Sequence, residues 1–186
     1  MPGYAAFLRG VNLGSRRKTG SAELRSCFEG LGLVEVATFR TSGNVVFEAR
    51  RESQAKLTAR IEKALEKAFG FDVEVFLRSA AEIRSIADQR PFADKLLNAS
   101  KGKLQVSMLA AKPAAGVRKQ VLALATDEDR LAFGERELYW LPSGGTRDSA
   151  LDSKAIGKLL GSTTMRTKGT VEALAAKYFG SSSRDR

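Results

Sequence analysis

The order of apolar periodicities in the first half of the chain restricts it to a small set of folds. A short apolar stretch, residues 4–8, precedes a segment of helical spacing closed by glycines, and two strand-like stretches follow. A second helical segment between Ser53 and Gly70 leads into the alternating residues 72–77. Strand, helix, strand, strand, helix, strand is the order of a split βαβ unit, in which an antiparallel sheet carries both helices on one face.

The same order is predicted again in the second half, although no residue-level repeat is detected. Strand-like stretches flank Gly134–Glu135, a predicted hairpin turn, and helical stripes occupy the remaining segments. We therefore predict an α/β protein of the α+β kind, built from two ferredoxin-like halves with mostly antiparallel sheets. The predicted domains are residues 1–90 and 91–186. Residues 90–102 are expected to form a linker or a loop, and residues 162–168 an irregular segment.

The composition excludes several kinds of chemistry. The 186 residues include no histidine and a single cysteine, Cys27, so the commonest general base and Cys/His zinc sites are missing. We expect no cofactor and no metal, and whether the protein is an enzyme stays open. The net charge of +10 favours polyanionic partners, nucleic acid among them. We expect a cytoplasmic protein without a secretory signal or a membrane partner, because the sequence shows no such segments and one cysteine fits a reducing compartment.

The stretch RGVNLGSRRK, residues 9–18, is the first candidate ligand loop. It is not a P-loop, because aligning its lysine with that motif puts Asn12 and Arg17 where glycines belong. Backbone amides of such a loop can bind an anion, and an arginine at the strand end can grip it with two hydrogen bonds. The alternative is a tight turn with a solvated basic rim. The candidate ligand residues here are Arg9, Gly10, Asn12 and Gly14.

The stretch TSGNVVF supplies a second candidate loop, Ser42, Gly43 and Asn44. In a split βαβ sheet the first and third strands are antiparallel neighbours, so the end of one lies beside the start of the other. We therefore expect this loop to converge with the Arg9 loop and to present hydrogen-bonding groups to a shared ligand. The alternative is that these residues only build the turn.

Two further candidates lie near the C-terminus. Arg147 is at a predicted helix start that favours an anion, but the adjacent Asp148 opposes one, and the alternative is a loop capped by a box at Ser149–Asp152. Arg166 either faces the ligand groove or caps the last helix.

The motifs around both loops resemble the family known as domain of unknown function 1697. The C-terminal TMRTKGTV also resembles that family, although Thr167-Lys168-Gly169 stands where the family usually has Asn-Trp-Asn. A ligand-stacking role for that tryptophan is therefore in doubt here. The resemblance spans residues 4–178 and implies a duplicated ferredoxin-like architecture in a bacterial-type protein, without an activity. The residues that carry it are Leu8-Arg9-Gly10, Asn12, Gly14, Glu23-Leu24-Arg25, Thr38 and Ser42-Gly43-Asn44-Val45.

Three functions remain compatible with these features. The first is a non-catalytic binding protein for an anionic ligand, a nucleic acid or a nucleotide. RNA-recognition modules share the split βαβ order, and Tyr4, Phe7 and Phe47 are either their base-stacking aromatics or core residues. The second is a cofactor-free enzyme or sensor for a small phosphate or carboxylate metabolite. The third is a structural or interaction module, and the sequence leaves the oligomeric state open.

Overall fold

A computed structural model describes residues 1–11, 19–40, 43–147 and 149–180. The chain divides into two compact units. The first consists of Met1–Arg84 together with the chain from Leu174 onward, and the second is Ser85–Ala173. Each unit contains one four-stranded antiparallel sheet, which confirms the predicted α+β class with two halves.

The sheet of the first unit has the strand order β2-β3-β1-β4, as the split βαβ pattern predicts. Local hydrogen bonds and backbone geometry set the ends of its helices. The Gly20 amide donates to the Glu23 carboxylate at 2.9 Å before α1, and the Ser53 hydroxyl caps α2. Gly70 ends α2 with a left-handed φ of 75°. The elements are β1 (Gly3–Arg9), α1 (Ser21–Glu29), β2 (Val34–Thr38), β3 (Asn44–Glu48), α2 (Gln54–Phe69), β4 (Glu74–Ser79) and α3 (Ala80–Asp88).

The core of the first unit lies between the sheet and helices α1 and α2. Phe28 and Leu57 from the helices pack against one face of the strands. Tyr4 and Phe47 stack inside this core with ring centroids 5.8 Å apart, and Phe7 is fully buried. These three aromatic residues are therefore core residues, and the interpretation of them as a base-stacking surface is wrong.

The sheet of the second unit has the equivalent order β6-β7-β5-β8. Two elements differ from expectation. A short helix, α4, forms within the expected linker, where Asp94 favours a helix start. The segment expected to be irregular is the strand β8, because its threonines favour a strand and it pairs with β5 over five residues. The elements that follow α3 are α4 (Asp94–Ala99), β5 (Gln105–Leu109), α5 (Ala115–Leu122), β6 (Asp129–Phe133), β7 (Glu137–Pro142), α6 (Ser153–Leu160), β8 (Thr163–Thr167) and α7 (Lys168–Tyr178). The last residues of α7, from Leu174 on, belong to the first unit.

The last strand of each sheet ends in the same way. Arg78 in β4 and Arg166 in β8 are buried, and each guanidinium donates to the carbonyl of the preceding residue, at 2.9 and 2.8 Å. The next residue, Ser79 or Thr167, accepts from a backbone amide three positions on and so caps the following helix. This arginine-hydroxyl pair is a residue-level similarity between the two halves that the sequence did not reveal.

A buried carboxylate organises the loop after β7. Asp129 accepts hydrogen bonds from Trp140 Nε1 and from the Ser149 hydroxyl, each at 2.8 Å. The predicted capping box is corrected here, because the N-cap of α6 is Asp152, which accepts from the Ala155 amide. Ser149 is instead turned toward Asp129 and its own loop.

Asp129→Ala is expected to cost about 1–3 kcal/mol of unfolding free energy, because it removes the acceptor for two donors. Trp140 is the only tryptophan, so its fluorescence reports directly on this contact during urea unfolding. Asp129→Asn keeps an acceptor oxygen and is expected to lose less. Equal losses for the two variants would show that the carboxylate does not act through these hydrogen bonds.

Candidate functional site

The described ends of the two predicted loops lie next to each other in the first unit. The Leu8 amide donates to the Gly43 carbonyl at 2.8 Å, next to the end of β1 at Arg9. Gly10 and Gly43 have φ values of 89° and 71°, which suit glycine. A Cβ on Gly43 would lie 2.6 Å from Val11 Cγ2, so the close approach of the loops depends on this glycine. The candidates Asn12, Gly14 and Ser42 lie outside the described residues.

Asn44 has a structural use in this arrangement. Its side chain is 1% exposed and its Nδ2 donates to the Phe39 carbonyl at 2.9 Å. The Phe39 amide donates in turn to the Asn44 carbonyl at 2.9 Å. Asn44 therefore closes the β2–β3 hairpin and sets the position of Phe39 at its tip.

Arg9 is engaged by a carboxylate of the neighbouring strand. Arg9 and Glu74 face each other in the β1–β4 register and form an ion pair between half-exposed side chains. They line a cavity of about 720 Å³ to which Glu62, Glu66 and Asp72 also contribute. Four carboxylates surround one guanidinium in the described part of this cavity, so its charge opposes an anion. The anion-binding role of Arg9 stays a prediction without support from this geometry.

The two C-terminal candidates belong to the second unit. Arg147 is exposed on the loop before α6. Arg166 is 9% exposed, and it donates to the Thr164 hydroxyl and the Met165 carbonyl, each at 2.8 Å. Burial lowers the pKa of Arg166 to about 10, so the guanidinium stays charged at neutral pH. Its described hydrogen bonds are internal to β8, which fits a structural use.

Residues 167–169, which depart from the family signature, include a lysine that connects two helices. Lys168 is buried, and its ammonium donates to the Ala87 carbonyl and to the Glu172 carboxylate, each at 2.7 Å. Ala87 lies in the last turn of α3, where a cation is favourable. Lys168 therefore joins the end of α3 to the first turns of α7.

An aromatic and cationic cluster that the sequence interpretation missed lies in the first unit. The rings of Phe39 and Tyr178 meet edge to face, with centroids 6.0 Å apart. The Arg40 guanidinium lies 5.3 Å from the Phe39 centroid, and the Lys177 ammonium lies 5.1 Å from that of Tyr178. We call Phe39, Arg40, Lys177 and Tyr178 the stacking cluster. The signal available in the sequence is that Phe39 and Arg40 directly precede the TSGN motif, whereas nothing local to Tyr178 marks it as a neighbour of Phe39.

The backbone at this cluster is unusual. Arg40 has a φ of 57°, the left-handed region that side chains other than glycine rarely adopt. Both cations are exposed, whereas the two rings are partly buried. Strained backbone of this kind concentrates at ligand-binding positions, so Arg40 marks the hairpin tip as the stronger candidate site.

A second cavity of the first unit, of about 820 Å³, shares Lys177 and Tyr178 with the stacking cluster. Ala37 and Val46 give it an apolar wall, and Glu35 adds a carboxylate. We call it the β2 cavity. A ligand that occupies it can therefore also contact the cluster.

The described residues contain neither a cluster of metal ligands nor a membrane-spanning helix. Among the described residues, no three potential metal ligands lie close enough together to hold an ion. Within the same ranges, every helix is too short or too polar to cross a lipid bilayer.

Comparison with known proteins identifies relatives of the sequence and of the fold. A family model described as "Protein of unknown function (DUF1697)" matches residues 1–139. The solved structure of the conserved bacterial protein SP0830 from Streptococcus pneumoniae is similar, with a TM-score of 0.71 and 22% sequence identity. The match covers 94% of this chain and 97% of that chain, and at this identity it shows the fold alone. No curated protein matches the chain.

Proposed function

Because the chain belongs to the DUF1697 family of proteins of unknown function, we propose its function from its own residues: non-catalytic binding of single-stranded nucleic acid. The observation that carries the proposal is the stacking cluster, in which two aromatic rings and two exposed cations lie together. Stacking on aromatic rings and charge contacts with phosphates are the two interactions by which proteins hold single strands.

The rings are suited to stacking with bases because contacts within the first unit hold them in place. The backbone of Phe39 is held by two hydrogen bonds with Asn44, and its ring packs edge to face against Tyr178 in the last turn of α7. A base that stacks on either ring therefore meets a preorganised surface and costs little ordering of the protein.

The cations supply the second interaction. Arg40 and Lys177 lie within 6 Å of the Phe39 ring centroid, so positive charge for the phosphates adjoins the aromatic surface for the bases. The Lys177 ammonium also lies 5.9 Å from the Phe39 centroid, so its charge is close to both rings. The net charge of +10 adds a long-range attraction for any polyanion. Binding in the cytoplasm is part of the proposal, and the single cysteine supports it because a reducing compartment suits an unpaired thiol.

The proposal is tested by binding of a labelled single-stranded RNA and of the matched duplex at low salt. Lys177→Gln is expected to weaken single-strand binding by roughly five- to tenfold. Lys154→Gln is the control, since it removes the same charge from an exposed helical position of the second unit.

Equal effects of the two substitutions would reduce the interaction to net charge and overturn the assignment of the site. Preference for the duplex would contradict the stacking, because bases in a duplex are already stacked. Absence of binding to either form would favour the small-metabolite sensor or the interaction module.

A further inference from the structure

We propose that the β2 cavity takes one unstacked nucleobase and that Glu35 selects guanine; this inference rests on the proposed function. It concerns an edge strand of the first sheet, β2, whose pairing with β3 is interrupted. Val34 faces Glu48 and Ala37 faces Val46, so β2 holds one extra residue between these pairs. Such a bulge turns a side chain away from the direction that regular pleating would give it.

Glu35 is the residue that this irregularity re-aims. Its φ is 51°, so a glutamate occupies the left-handed region without being glycine, asparagine or aspartate. Glu35 is also one of the residues that line the β2 cavity. A bulge accommodates a residue in the left-handed region, and here it sets a carboxylate at the cavity, where its oxygens can accept hydrogen bonds from a ligand.

The rest of the cavity fits a base. Its volume of about 820 Å³ falls within the range of roughly 300–1,000 Å³ found for small-ligand pockets, and Ala37 and Val46 provide an apolar wall for the flat face of the ring. Tyr178 belongs both to the cavity and to the stacking cluster, and Lys177 lies at the same junction. A strand stacked on the cluster can therefore turn one base inward while its phosphate stays beside Lys177.

The carboxylate determines which base fits. An ionised glutamate accepts hydrogen bonds through two oxygens and donates none. On the Watson–Crick edge, guanine presents two adjacent donors, N1–H and the N2 amino group. Adenine and cytosine each present a donor next to an acceptor, and uracil presents a donor between acceptors, so the second carboxylate oxygen would face a lone pair. The expected order is therefore guanine before the other three bases.

The test uses the full chain and oligouridine nonamers that carry G, A, C or U at the central position. The wild-type protein is expected to bind the G-containing strand about tenfold more tightly than the others. Glu35→Gln is expected to abolish this preference while binding to plain oligouridine changes little. Glu48→Gln is the control. Glu48 lines the same cavity, but its carboxylate forms an ion pair with the amino group of Met1 at 3.7 Å, so this substitution removes a cavity carboxylate that is not assigned to the base.

Each outcome separates this inference from the proposed function. Binding of oligouridine that depends on Lys177 but shows no central-base preference would overturn the guanine pocket and leave the stacking cluster in place. A preference that survives Glu35→Gln, or that Glu48→Gln removes equally, would overturn the role of Glu35. No binding to any nonamer would overturn the proposed function, and the inference with it.

Discussion

Phe39→Leu is expected to weaken the binding of single-stranded RNA by about 5- to 150-fold, the range that corresponds to loss of one base–aromatic stack. The substitution keeps an apolar side chain of similar bulk at a partly buried position, so the fold should survive. The leucine cannot present a flat ring to a base or to the Arg40 guanidinium. Fluorescence anisotropy of a labelled oligonucleotide measures the change, and thermal unfolding checks the fold.

The chain contains a matched control for this substitution. In the second unit the Arg118 guanidinium lies 4.9 Å from the ring centroid of Phe133, an arginine–phenylalanine pair like that of Arg40 and Phe39. Phe133→Leu is expected to leave RNA binding unchanged. If the two substitutions weaken binding alike, the effect is general and the stacking cluster is not the binding site.

Gly43→Ala is expected to lower the free energy of unfolding by about 2–5 kcal/mol. The left-handed φ of 71° costs a side chain about 1–2 kcal/mol, and overpacking against Val11 Cγ2, 2.6 Å from the new Cβ, adds about 1–3 kcal/mol. The loss is measured by urea unfolding at equilibrium. RNA binding should weaken as well, because Gly43 joins the hairpin that carries Phe39 to β1.

Gly32→Ala separates the two costs. Gly32 has a φ of 75°, close to that of Gly43, but a Cβ there would meet no atom within 4 Å. This variant is expected to lose only the conformational cost of about 1–2 kcal/mol. Equal destabilisation of the two variants would mean that the approach of Val11 to Gly43 is not tight.

The fold could be predicted from the sequence because its signals are local. The helical spacing between Ser53 and Gly70 and the turn residues before Asn44 each determine an element without reference to distant residues. The order of those elements then implies the antiparallel neighbourhood of β1 and β3, and with it the contact between Leu8 and Gly43. The strand β8 was missed because only Met165 of its five residues is apolar, so no alternation of apolar and polar residues marks it.

The candidate site was less predictable, because charge and contact depend on partners that are remote in sequence. From the sequence alone, Arg9 is expected to be an available cation. Only the β1–β4 register shows that Glu74 lies opposite it and pairs with it. The contact of Tyr178 with Phe39 cannot be predicted from local patterns, because the two residues are far apart in the sequence. Local sequence patterns can identify such residues but cannot show which of them contact each other in the fold.

The central claim is tested most directly by the affinity for a short single-stranded RNA as a function of salt concentration. With Arg40 and Lys177 each contacting a phosphate, the plot of log K against log salt should fall with a slope of about −1.4 or steeper. Lys177→Gln should reduce the magnitude of that slope by about 0.7, whereas Lys154→Gln should leave it unchanged. A slope near zero, or one that Lys177→Gln does not alter, would contradict nucleic-acid binding at the stacking cluster.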